Sequence, residues 1–194
     1  MVPLVNTTEE LAAFRELLGA AKEHLQGEGV PFRDDVKVGA MIETPAAALA
    51  AAELAGASDF LSIGTNDLVQ YALAVDRTNT GLAHLFDPFH PAVPRLVAQV
   101  AEAGRSAGIE VSACGEMAAQ PAGAVLLAGL GVDSLSVAWP SLPEITNLIR
   151  GSRMRDMCEA AAAAVGASGS ADLRRALERP LAGPPDQGLS SRDP

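Results

Sequence analysis

The chain has 194 residues, 48% apolar and only 4% aromatic, so it is long enough for one ordinary domain whose core must be built from Ala, Val, Leu and Ile. Its formal charge of −10, from 24 acids against 14 bases, excludes the basic footprint that non-specific nucleic-acid binding needs and opposes an anionic membrane surface. No apolar run reaches the roughly 18–20 residues of a membrane span, the first five residues lack a basic signal-peptide start, and two cysteines without metal spacing, Cys114 and Cys158, fit a reduced, cytoplasmic setting.

Residues 2–5 read as the tail of a buried strand. Thr7 and Glu10 form a capping-box pair, and Leu11, Phe14, Leu17, Leu18 and Ala21 follow at helical spacing until Gly27 and Gly29. A second strand is expected over 36–42, with Pro45 in the first turn of a small-residue helix over 46–54. A third strand, 59–63, runs into Gly64-Thr65-Asn66-Asp67 and another helix. Further helices are expected over 91–107, 122–128, 143–149, 152–165 and 171–177, with strands at 109–113 and 134–137. Residues 166–170 read as a break, and 179–194, rich in Pro, Gly and Ser, as a disordered tail. Strands alternating with helices predict parallel βα units in an α/β fold, five strands in all.

In such folds ligands bind past the carboxyl ends of the strands. Glu43 and Asp67 each stand just past a strand, one βα unit apart. Two carboxylates converging there suit Mg²⁺, which takes few protein ligands and completes its shell from substrate oxygens and water. The Asn66 amide can donate to an anionic oxygen, and Asn is also a favoured helix N-cap. Arg77 lies ten residues beyond Asp67, so it reaches the strand end only if the helix breaks near residues 74–76; otherwise it is a surface partner of Asp76. Cys114 ends an apolar strand before Gly115 and Glu116, and its thiol is either a small buried hydrophobe or a weak acid usable near neutral pH. Glu116 can orient its neighbours or a metal-bound water. Thr44, Gln70 and Tyr71 are expected to shape the pocket, Cys158 to be structural, His90 to lead into a helix, and His24 and His84 to be exposed.

Three segments, Gly39-Ala40-Met41-Ile42-Glu43-Thr44-Pro45, Ser62-Ile63-Gly64-Thr65-Asn66-Asp67-Leu68-Val69-Gln70-Tyr71-Ala72-Leu73-Ala74-Val75-Asp76-Arg77 and Ala113-Cys114-Gly115-Glu116-Met117-Ala118, closely resemble the phosphoenolpyruvate-utilising enzymes in order and spacing. The wording of the second is most similar to Enzyme I of the sugar phosphotransferase system. Pyruvate phosphate dikinase and phosphoenolpyruvate synthase share the Glu and Asn-Asp motifs, and a nitrogen-regulatory paralogue of Enzyme I is a further member of the same group.

The resemblance implies a partial (β/α)8 TIM barrel over residues 1–178, about its last five βα units. It implies Glu43 and Asp67 as Mg²⁺ ligands, Asn66, Asp67 and Arg77 as contacts to phosphoenolpyruvate, and Cys114 as the acid that protonates the enolate carbon when pyruvate forms. It also implies a homodimer, and transfer of the phosphoryl group through a histidine on a separate domain to the carrier protein HPr. Further substrate-binding arginines of the family lie on earlier strands. The expectation is therefore the C-terminal part of a longer phosphotransferase, or a truncated product incomplete alone. The alternatives are a truncated, non-catalytic interaction or regulatory module derived from the barrel, or a fragment of pyruvate phosphate dikinase or phosphoenolpyruvate synthase.

Overall fold

A computed structural model describes residues 1–181; the tail expected from 179 falls outside them from 182 onward. Helix α1 (Thr8–Gly27) opens with the expected capping box: the Thr7 hydroxyl accepts from the Glu10 amide, and the Glu10 carboxylate reaches back to Thr7. Of its residues, Leu11 alone is buried, so α1 lies over the domain rather than inside it.

Four short strands follow, β1 (Ala40–Ile42), β2 (Phe60–Gly64), β3 (Glu110–Cys114) and β4 (Ser134–Ser136). They form one parallel sheet in the order β1-β2-β3-β4. Helices α2 (Pro45–Leu49) and α3 (Ala51–Gly56) connect β1 to β2. Helices α4 (Thr65–Leu73) and α5 (Ala92–Ala107) connect β2 to β3, and α6 (Pro121–Gly129) connects β3 to β4. Three more complete the described residues: α7 (Leu142–Gly151), α8 (Met154–Gly166) and α9 (Ser170–Leu181).

The alternation of strand side chains divides the sheet into two faces. Ala40, Ile42, Leu61, Ile63, Val111 and Ala113 are buried in the core with Leu54, Val93, Val97 and Val100 from the crossover helices. The alternate positions are Met41, Ser62, Ser112 and Cys114. A parallel strand covered by apolar layers on both sides reads as a continuous hydrophobic run. In β2 and β3 serines interrupt that run, and the Ser112 hydroxyl donates to Ser62 Oγ at 2.9 Å.

The α/β class and the parallel units are as expected, but several elements differ. Residues 2–5 give one bridge, Val2 to Ala40, not a strand. Leu4 turns into the left-handed region at φ +51, a conformation costing about 1–2 kcal/mol, and so leaves the sheet edge. Of the strand expected over 36–42, only Ala40–Ile42 pairs along β2. Val38 is instead tied to Asp59, whose carboxylate accepts its amide at 2.7 Å. The single helix expected over 46–54 breaks at Ala50. Cys158 is exposed on α8, where Met157 faces the core.

Candidate active site

The register aligns Gly64 with Cys114 and Cys114 with Ser136, so β2, β3 and β4 end level with one another. The residues singled out from the sequence cluster at these carboxyl ends. Glu43 follows β1 and is 4% exposed. Its Oε1 accepts the Leu4 amide at 2.8 Å, which explains the bend at Leu4. Gly64 leaves the room it needs: a Cβ there would stand 2.7 Å from Glu43 Oε2.

Asp67 comes from the first turn of α4, and its carboxyl lies within hydrogen-bonding reach of Glu43. Burial, and secondarily the negative charge of Asp67, push the Glu43 carboxyl above its usual range despite the Leu4 amide. Two acids held this close favour a cation between them. No group of three or more His, Cys, Asp or Glu side chains that could hold a metal occurs among the described residues. The donor set is therefore two carboxylates, which fits a hard, oxygen-seeking ion such as Mg²⁺ completing its shell from ligand and water.

Helix α4 stops where the return of Arg77 requires it. Ala74 takes the left-handed conformation (φ 52, ψ 41) and its amide closes on the Gln70 carbonyl. The chain then doubles back, the Arg77 amide donates to Gln70 Oε1 at 3.2 Å, and the guanidinium comes within 3.4 Å of Asp67 Oδ1. Asp76 is occupied with Thr78, whose amide and hydroxyl both donate to its Oδ1. Asn66 is not the N-cap of α4; Gly64 holds that position without a side-chain bond. Asn66 Oδ1 accepts the Glu116 amide at 3.1 Å, and the Thr65 hydroxyl donates to the Cys114 carbonyl at 2.7 Å. These two bonds lock the start of α4 to the turn after β3. Gly115 allows the contact, with φ +108 and no side chain against Thr65 and Asn66.

Cys114 is half-buried. Burial pushes its thiol up, against a hydrogen bond with Ser62, and the negative charges of Glu43 and Asp67 add to the rise. Burial and both acids thus favour the neutral thiol over the thiolate.

Beside this cluster lies a cavity of about 390 Å³. Asn66, Arg77 and Glu116 line it, with apolar walls from Val69, Phe86, Pro88 and Met117. Glu43, Asp67 and Cys114 are not among its lining residues, so Arg77, paired with Asp67, joins the acids to the cavity. Thr44, Gln70 and Tyr71 do not line it either. Thr44 caps α2 by accepting the Ala47 amide, Gln70 holds the Arg77 backbone, and Tyr71 is exposed. The walls from Phe86 and Pro88 carry no periodic signal in the sequence. His90 Nδ1 accepts the Ala92 amide and so leads into α5, as expected.

The family described as PEP-utilising enzyme, PEP-binding domain, matches residues 1–154. The chain is 47% identical over 137 residues to the phosphoenolpyruvate-protein phosphotransferase of Borreliella burgdorferi, covering 71% of this chain and 24% of that one. It is 42% identical over 156 residues to that of Haemophilus influenzae, covering 80% and 27%. With that of Staphylococcus aureus it shares 41% over 165 residues, covering 85% and 29%. The chain thus spans about a quarter of the length of the curated relatives it matches. A solved citrate lyase from Burkholderia xenovorans LB400 superposes with a TM-score of 0.56 at 19% identity, covering 93% of this chain and 62% of that one. At that identity the likeness concerns the fold alone.

Proposed function

Because the chain belongs to the phosphoenolpyruvate-utilising enzymes, in their PEP-binding domain, we propose that it supplies the phosphoenolpyruvate and Mg²⁺ site of a phosphoenolpyruvate–protein phosphotransferase. The observation that carries this reading is the convergence of Glu43, Asp67, Asn66 and Arg77 at adjacent strand ends, with the half-buried Cys114 ending the next strand. The sheet is read as the later part of a (β/α)8 barrel, with residues 1–178 as one domain.

In this proposal Arg77 binds the phosphate as a planar guanidinium and Asn66 donates its amide to an anionic oxygen. Glu43 and Asp67 hold the Mg²⁺, which when bound offsets the negative charge of the phosphoryl group. The bond between the phosphorus and the enol oxygen breaks as a bond forms to a histidine nitrogen on a separate domain. The electron pair left on the substrate is an enolate, and its terminal carbon takes the Cys114 proton to give pyruvate and a thiolate. Ser62, hydrogen-bonded to Cys114, stands ready to stabilise that thiolate. The phosphoryl group then passes to HPr. Action in the cytoplasm as a homodimer belongs to the same proposal.

The test is pyruvate release from phosphoenolpyruvate when the chain is mixed with the histidine-bearing portion of one of its relatives. Release that depends on Mg²⁺ and is abolished by Cys114→Ala supports the assignment. Full release in Cys114→Ala removes Cys114 from its role as the acid. No release, together with no binding of phosphoenolpyruvate, favours a non-catalytic module.

A further inference from the structure

Helix α9 lies beyond the segment matched by the family, which ends at residue 154, yet it touches the turn that supplies two walls of the cavity. Leu173 and Leu177 are fully buried and seat one side of α9 in the core. Between them Arg174 projects to the turn at residues 86–90. Its Nη2 donates to Asp87 Oδ1 at 2.7 Å, and its guanidinium lies 4.4 Å from the centroid of the Phe89 ring, which is 1% exposed. The same Asp87 oxygen accepts the Phe89 amide at 3.0 Å, and the Asp87 carbonyl accepts the His90 amide at 3.0 Å. One guanidinium therefore holds a turn that is folded around one carboxylate and one ring. That turn carries Phe86 and Pro88, two apolar walls of the 390 Å³ cavity.

We propose that Arg174 is a positioning residue for the cavity: by clamping the Asp87-Pro88-Phe89 turn it lets α9 fix the wall that Phe86 and Pro88 build. The consequence for phosphoenolpyruvate rests on the function proposed above; the clamp itself does not. An ion pair and a cation–π contact on one side chain, each weak alone, add to the burial of the Phe89 ring in holding the turn. Lysine replaces the charge but neither the planar fork nor the stacking.

The experiment is hydrogen exchange of the purified chain, reading the Phe89 and His90 amides in wild type, Arg174→Ala, Arg174→Lys and Asp87→Asn. Titration with phosphoenolpyruvate plus Mg²⁺ accompanies it. Arg174→Ala is expected to speed exchange at these two amides roughly 5- to 30-fold, with α5 and β3 unchanged. Arg174→Lys should fall between, and Asp87→Asn, which keeps an acceptor oxygen without the charge, should resemble the alanine variant. Affinity for the ligand pair should weaken in the same order. Unchanged exchange at Phe89 and His90 in Arg174→Ala overturns the clamp. Equal acceleration across α5 and β3 overturns it as well, since the role is then general stability. A wild-type chain that fails to bind phosphoenolpyruvate refutes the proposed function, while the exchange rates still decide the clamp.

Discussion

Replacing Gly115 by alanine should be the most damaging single-methyl change in the site. Gly115 sits at φ 108, ψ 175, a region that only glycine occupies without a penalty of about 1–3 kcal/mol. A Cβ there would collide with Thr65 Oγ1 and stand 2.9 Å from Asn66 Oδ1. Forcing those groups aside adds about 1–3 kcal/mol of overpacking, for a total of roughly 2–6 kcal/mol. The displaced atoms are the ones that tie α4 to the β3 turn, through the Cys114 carbonyl and the Glu116 amide. Gly108 is the control. It is left-handed at φ +68 with nothing within 4 Å of an added Cβ, so Gly108→Ala should cost only the backbone term, about 1–2 kcal/mol. Urea unfolding of both variants, read as midpoint shifts at constant slope, measures the difference. If Gly115→Ala costs no more than Gly108→Ala, the steric reasoning about the two turns is wrong.

Burial and Asp67 raise the Glu43 carboxyl, so the folded chain holds that proton more tightly than the unfolded one. Without ligand, stability should therefore fall as pH rises from the ordinary carboxylate value, about 4.3, through the raised folded value. Glu43→Gln should remove that fall and melt above wild type at neutral pH, as thermal melts across the range will show. Iodoacetamide at neutral pH should modify exposed Cys158 well before Cys114, whose thiol is pushed up. Peptide mapping checks the order, and Glu43→Gln should quicken Cys114 by removing a negative neighbour. Ala74→Gly should stabilise the chain by about 1–2 kcal/mol in urea unfolding, the reverse of Gly108→Ala, because Ala74 closes α4 in a conformation suited to glycine.

The parts of the fold legible in the sequence are those with local physical signals. The Thr7–Glu10 capping box, Pro45 at a helix start and the periodic face of Val93, Val97 and Val100 all have a cause within a few residues. The return of Arg77 was legible as a geometric demand, met by one left-handed residue. What the sequence hides is set by distant partners. The apolar run at 2–5 looks like a strand, but the Leu4 amide is drawn to Glu43, 39 positions away. Residues 36–38 look like the start of a strand, but Val38 is held by Asp59. The cavity walls at Phe86 and Pro88 lie in an aperiodic loop, and the arginine that holds that loop arrives from 87 positions later in the chain. Motif residues at strand ends were readable because one βα unit spaces them. The pocket beside them was not.

The most direct measurement is the thermal melt of the purified chain alone, with Mg²⁺, with phosphoenolpyruvate, and with both. A ligand that binds only the folded state raises the midpoint by mass action. The expected result is a cooperative transition that rises only when both ligands are present, and a rise that is lost in Asn66→Ala and Asp67→Asn. A midpoint that ignores the pair, or a rise that survives in those variants, would contradict the placement of the phosphoenolpyruvate site at the ends of β1, β2 and β3.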